Sequence, residues 1–251
     1  MRKQSLPQLC RIKVIYDSHS VTDLEAEVGK QLAVAYDNKN LRGKTVAITG
    51  SSRGIASYAE LMLAQVRWFK TKGATPIIVP SMGTHGGESH ERLLNVLAHY
   101  DVTPEKMGCE IRPCLDTHVV GTVQGGGYAP LVVHCSKAAW NADWIHLFNR
   151  VKSHTDFKGP HESGLIKIGS IGLGQLNGAE SYHSHVLGNG LCWAIESATQ
   201  LLIQSGKVGG ALAVIENQMH QIAKVQGFAT ANIFDGETAL LLEAKRFMPR
   251  I

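Results

Sequence analysis

Along this chain, apolar runs closed by glycine or proline alternate with longer stretches in which apolar residues recur every three or four positions. GKTVAIT (43–49), TPIIVP (75–80), ADWIHLFNRV (142–151) and GALAVIE (210–216) are of the first kind and predict buried strands. RIKVIY (11–16) predicts a strand ahead of them. Leu24, Val28, Leu32 and Val34 or Ala35 fall near helical spacing over 22–36, and further helices are predicted over 58–72, 89–99, about 177–186 and 191–205. The segment 237–247 reads as either a helix or a strand. CEIRP, THVVGTV and PLVVHC, broken by Gly125–Gly127, predict a meander or hairpin inserted over 109–135.

Strands alternating with helices of this length imply βαβ units. The predicted fold is α/β and Rossmann-like: one domain over 1–251, with a mostly parallel sheet, helices on both faces and a small β insertion. Ligands bind such sheets at the loops beyond the carboxyl ends of the strands. A hydrophobic content of 44% supplies a core, while a net charge of +4 from scattered Lys and Arg, with 6% aromatics, offers no basic, stacking-rich face for nucleic acid. No apolar run approaches the roughly 18 residues of a membrane-spanning helix, so no membrane partner is expected. Five cysteines, an odd number without a CxxC pair or a recognisable secretory leader, lead us to expect reduced thiols and a cytoplasmic location.

HTDFKGPHESGLIKIGSIG (154–172) breaks the pattern, with histidines, acids and lysines among glycines. Unpaired charge is costly to bury, so this stretch is either a solvated loop or a site. Three loops that follow predicted strands gather the candidates: GSSRG with Ser51, Ser52 and Arg53, SMGTHGG with His85, and NRVKSHTDF with Lys152 and His154. Arg53 and the turn around it suit a carboxylate or phosphate. His85 stands among Gly83, Gly86 and Gly87, which admit close approach. Asp156 is placed to orient His154. Lys167, alone among apolar residues, either snorkels or is desolvated into a nucleophile. His161 reads as a solvated loop histidine. His183 and His185, two apart, face different sides of a regular helix, so at most one of them serves a given metal.

VAITGSSRGIA also approximates a dinucleotide-binding turn, but Ala56 replaces the third glycine. A short-chain dehydrogenase further needs a lysine four residues after its tyrosine, and none of the six tyrosines has one. An NAD-dependent dehydrogenase is therefore a minor alternative.

Jointly, GSSRGI, VPSMGTHGG, NRVKSHTDFKGPHESGLIK, IGLGQLNGAESYH and the closing FMPRI resemble the lactate racemase family that uses a nickel-pincer nucleotide, along the family's N-terminal domain. The resemblance implies a racemase or epimerase of a small 2-hydroxy acid that works by transient hydride transfer. It assigns His85 and His154 as paired acid/base groups, Lys167 as the covalent tether of the cofactor and His183, with His185 as the lesser candidate, as the nickel ligand. It gives Arg53, with Ser51 and Ser52, to substrate carboxylate or cofactor phosphate. Soft sulfur arms with one imidazole suit Ni(II), so one protein ligand would suffice. The sequence departs from the family at Gly50, Ser153, Gln175 and Asn177. Relatives continue into a second α/β domain that closes over the cofactor, so another domain or chain is expected to complete the site. The alternative is a non-catalytic domain that binds an anion or a partner.

Overall fold

A computed structural model describes residues 11, 13, 15–16, 18–87, 89–125, 128–183 and 190–248. Six strands form the main sheet: β1 (Thr45–Gly50), β2 (Thr75–Pro80), β3 (Glu110–Ile111), β6 (Trp144–Arg150), β7 (Val208–Glu216) and β8 (Ile222–Ala229). Their order is β3-β2-β1-β6-β7-β8, parallel throughout except for the antiparallel edge pair β7–β8. β4 (Thr117–Gly125) and β5 (Tyr128–Ser136) pair separately as an antiparallel hairpin. The chain builds the sheet outward in one direction from β1, then returns to β6 on its other side. That reversal is the switch point at which doubly wound sheets leave a crevice.

Successive residues of the buried strands point to opposite faces. Val46 and Ile48 of β1 join the core beneath α1 (Leu24–Ala35), α2 (Tyr58–Thr71) and α3 (His90–His99). Ala47 faces the other core, shared with α5 (Lys137–Trp140), α6 (Leu165–Lys167), α8 (Gly190–Gln204) and α9 (Ile233–Arg246). A one-turn helix, α4 (Pro104–Met107), links α3 to β3, and α7 (Leu173–His183) packs on the hairpin, where Tyr182 meets Leu131 and Val133. Side-chain caps start α1 and α3: Asp23 accepts from the Ala26 N–H at 2.9 Å and Ser89 from that of Arg92 at 3.2 Å. Among the described residues, no helix is long and apolar enough to cross a membrane.

The helix expected over about 177–186 starts earlier, at Leu173, and residues 184–186 of it lie outside the described residues; the elements depart from the sequence pattern elsewhere too. In the run 11–16, Ile12 and Val14 lie outside the described residues. The other four residues are in no strand, and Ile15 is 84% exposed. The 109–135 insertion divides, because Glu110–Ile111 pairs with β2 in the main sheet and only the remainder forms the hairpin. The unpredicted β8 is an edge strand whose alternation is interrupted by polar residues, one of which, Lys224, donates to Glu243 of α9 at 2.6 Å. At Gly227 in β8 a Cβ would lie 1.9 Å from the Gln31 carbonyl oxygen, so α1 rests directly on backbone there. The ambiguous last segment is the helix α9.

Candidate active site

Beyond the carboxyl ends of β1, β2 and β6 the three loops enclose a cavity of about 200 Å³. Arg53, His85, His154 and Lys167 all line it, as do Ser51 and Ser52.

The β1 loop is tied largely to itself. The Ser51 N–H donates to the Tyr58 hydroxyl at 2.7 Å, and the Ser51 hydroxyl accepts from the Arg53 N–H at 3.2 Å. Ser51 is thus engaged in shaping the turn that presents Arg53. β2 ends beside this turn, with the Ser81 N–H donating to the Gly50 carbonyl at 2.7 Å, and a short 3₁₀ turn (Gly83–Gly86) then lifts His85 toward Arg53. A guanidinium can only donate, so the 3.4 Å contact from Arg53 makes His85 Nε2 the acceptor. The proton of the neutral ring then sits on Nδ1, which faces the Ser52 hydroxyl at 3.3 Å. Partial burial, with the charges of Arg53 and Lys167 behind it, holds His85 below its ordinary value of 6.5. His85 is therefore a neutral imidazole whose accepting nitrogen faces the Arg53 guanidinium.

His154 is set the opposite way. Its Nδ1 accepts from the Asp156 N–H at 3.1 Å, which leaves the proton of the neutral ring on Nε2. Asp156 orients the ring through its backbone, where the sequence had suggested its carboxylate. Burial and then the nearby Lys167 lower the His154 pKa, outweighing Asp156 and Glu162. The ring also packs against Phe157, centroids 4.3 Å apart.

The segment carrying His154 is an Ω-like loop closed at its neck, where the Lys152 N–H donates to the Ser163 carbonyl at 2.9 Å. Glu162, buried inside, accepts from the His154 N–H at 2.7 Å and pairs with Lys245 Nζ at 2.8 Å. His161, expected to be a solvated loop residue, is only 5% exposed. Its ring bridges Glu196 at 2.7 Å and the Phe234 carbonyl at 3.1 Å, binding the loop to α8 and α9. Sequence reading missed it because both partners lie far along the chain.

Lys167 follows on α6, half-buried, its Nζ 5.7 Å from the centre of the Phe157 ring. Burial, then the cations Arg53 and Lys152, hold the amine below its ordinary 10.5. Among the described residues no ion pair or hydrogen bond engages Nζ. A π-type turn (Ile168–Gly172) continues from α6, and its glycines serve packing more than open space: a Cβ at Gly172 would lie 2.8 Å from the Ser81 carbonyl oxygen. Gln175, at φ 53° and ψ −152°, breaks the helix that follows and donates to the Pro80 carbonyl at 2.8 Å.

Two further cations line the cavity: Lys152, which the sequence placed on the same loop as His154, and Arg150, which it did not single out. Arg150, at the end of β6, is paired to Glu216, whose other oxygen accepts from the Ala56 N–H at 2.8 Å. Lys152 is held below its ordinary 10.5 by burial and by Arg150 and Arg53. The position of Arg150 as the last residue of β6, two before Lys152, is the signal that could have drawn attention to it. His183 closes α7, but its side chain, and His185 entirely, lie outside the described residues. Among the described residues no cluster of three His, Cys, Asp or Glu could hold a metal ion.

No family model and no curated protein matches the sequence. Among solved structures the chain is similar to the lactate racemase apoprotein from Thermoanaerobacterium thermosaccharolyticum, with a TM-score of 0.64 at 15% identity. The match covers 88% of this chain and 56% of that one, so this chain spans little more than half the length of its neighbour. What the two share at this identity is the α/β fold with its mostly parallel sheet.

Proposed function

We propose that this chain carries the nucleotide- and substrate-binding half of a racemase or epimerase of small 2-hydroxy acids that depends on a nickel-pincer nucleotide. The observation that carries this reading is the convergence of Arg53, His85, His154 and Lys167 on one cavity at the switch point of the sheet.

The residues fit such a group on two counts. Lys167 offers a half-buried amine of lowered pKa, without an ion-pair or hydrogen-bond partner among the described residues, suited to a covalent tether. Arg53, Arg150 and Lys152, beside the Ser52 hydroxyl, offer positive charge to a phosphate or carboxylate. His183 remains the proposed nickel ligand, and a site that draws its other donors from the cofactor needs no three-residue protein cluster. When bound, the group would supply a hydride acceptor beside a nickel ion. Arg53 pairs with the substrate carboxylate and holds it next to His85 Nε2, which takes the proton of the neighbouring hydroxyl. His154, once it has taken up a proton to become the imidazolium, delivers one from its own side of the cavity and returns to the neutral ring, and the two exchange roles in the reverse direction. The base in either direction must be neutral, so the acid limb of activity, set by an imidazole held below 6.5, has its midpoint below that value.

Intact mass of the chain co-expressed with cofactor-maturation enzymes tests the reading. An adduct localised to Lys167, together with exchange of the α-hydrogen of a 2-hydroxy acid, is the expected result. An unmodified mass under those conditions overturns it. An adduct without α-hydrogen exchange transfers the reading to the non-catalytic, anion-binding domain.

A further inference from the structure

Helix α9 contributes no described residue to the cavity, yet it holds from below both segments that enter it. Its Lys245 pairs with Glu162, which accepts from the His154 N–H, and its Thr238 hydroxyl lies 3.1 Å from His161 Nε2. The most direct of these connections is made by Glu237. Its side chain is 1% exposed, and its Oε2 accepts the N–H groups of Leu165 at 2.5 Å and Ile166 at 3.0 Å. These are the first N–H groups of the turn that bears Lys167, and a helix start leaves such groups without intrahelical partners.

We propose that Glu237 is a positioning residue, which fixes the direction in which Lys167 enters the cavity by accepting both N–H groups that open its turn. The far side of the turn is clamped as well, since the Ile166 carbonyl accepts from the Thr199 hydroxyl at 2.6 Å and the Ser170 hydroxyl at 2.9 Å. Lys167 therefore leaves a backbone held at both ends, with little freedom to turn its amine out to water. Gly164 is the complement to this contact: a Cβ there would lie 2.7 Å from the Glu237 carboxyl carbon, so any side chain would drive the carboxylate off the turn. An apolar core has no other use for this carboxyl, because a buried carboxyl group is costly unless hydrogen-bonded. Burial, with the Glu196 charge adding to it, pushes its pKa up to about 7 against the favourable contacts of the two N–H groups and His161.

The inference takes the importance of Lys167 from the proposed function, but its test needs neither cofactor nor substrate, so either can fail without the other. The pH dependence of Lys167 acylation by acetic anhydride is read by peptide mass spectrometry, with exposed Lys30 as the internal reference. The charged groups facing Lys167 are Arg53, Lys152 and Asp156. The histidines beside it, His85 and His154, are already neutral in the alkaline window used. In Glu237→Ala the turn loosens, the amine gains water, and the midpoint rises toward 10.5, which slows acylation at pH 8 relative to wild type. Glu237→Gln retains an oxygen that can accept both N–H groups and keeps the wild-type midpoint. A folded Glu237→Ala with the wild-type profile overturns the proposal, as does a Gln variant that shifts as far as the Ala variant. If Glu237→Ala does not fold, Gly164→Ala is measured instead: a raised midpoint supports the proposal and an unchanged one overturns it.

Discussion

Two sides of one cavity are built by different means. The loops after β1 and β2, which present Arg53 and His85, are held mostly by neighbours within a few residues: Ser51 to Tyr58, Arg53 to Ser51, and His85 to Met82 through its backbone. Their longer reaches include the Ala56 N–H to Glu216 and Gln175 to the Pro80 carbonyl. The segment after β6, which presents His154 and Lys167, is held by buried ionisable side chains that connect it to α8 and α9: Glu162 to Lys245, His161 to Glu196, and Glu237 to the Lys167 turn. A turn of local hydrogen bonds keeps its shape across pH. A segment seated on buried carboxyls inherits their titration, so the lysine side should respond to conditions that leave the arginine side unchanged.

The largest expected effect tests that contrast through Glu237. Its folded-state pKa of about 7 lies above the ordinary 4.5, so the folded protein prefers the protonated form. The stabilisation this supplies is fully present below 4.5 and is lost as pH rises through 7. Glu237→Gln cannot lose a proton, so its stability relative to wild type should climb by on the order of 3 kcal/mol between those values and then level off. Denaturant titrations at several pH values would show it, and a constant difference would remove the pH sensitivity assigned to this side. Glu162→Ala comes next. It leaves the His154 N–H without its acceptor while Lys245, a third exposed, regains water, costing about 2–3 kcal/mol. Hydrogen exchange should quicken across 152–163 and stay unchanged across 51–57. Tyr58→Phe should produce the reverse map at about 1–2 kcal/mol, because it orphans the buried Ser51 N–H. If either variant loosens both segments, the two sides are a single unit.

The same contrast explains what could be read from the sequence. β1 and β2 are apolar runs closed by glycine or proline, and the loops after them carry their own turn chemistry, so strand, loop and candidate residues were legible together. The lysine side was legible only in part. Lys167 stood out because its neighbours are apolar, but His161 looked solvated because Glu196 lies 35 positions away and Phe234 lies 73. Glu237 was recoverable in principle: it falls on the buried stripe of α9 with Ile233, Leu240, Leu241 and Ala244, and a carboxylate on an apolar stripe demands a partner. What periodicity cannot supply is the identity of that partner, a pair of backbone N–H groups some seventy residues earlier.

The smallest effect separates hydrogen bonding from charge on the arginine side. In Ser52→Ala, His85 Nδ1–H loses a 3.3 Å partner at a partly exposed site, a change worth under about 1 kcal/mol. Both the neutral and the charged ring carry a proton on Nδ1, and the charged ring donates the stronger bond, so losing the acceptor lowers the midpoint slightly further below 6.5. Arg53→Ala removes a charge that disfavours the imidazolium, and the midpoint should rise toward 6.5, stopping short of it because burial and Lys167 remain. Imidazole nitrogen shifts followed by NMR report both the midpoint and the proportion of ring protonated on Nδ1. Ser52→Ala should therefore alter the tautomer signal with little change in the titration, and Arg53→Ala should move the titration itself. If Ser52→Ala moves the midpoint as far as Arg53→Ala does, the serine acts by holding Arg53 in place, and the local turn would then control the electrostatics of this side as buried carboxyls do on the other.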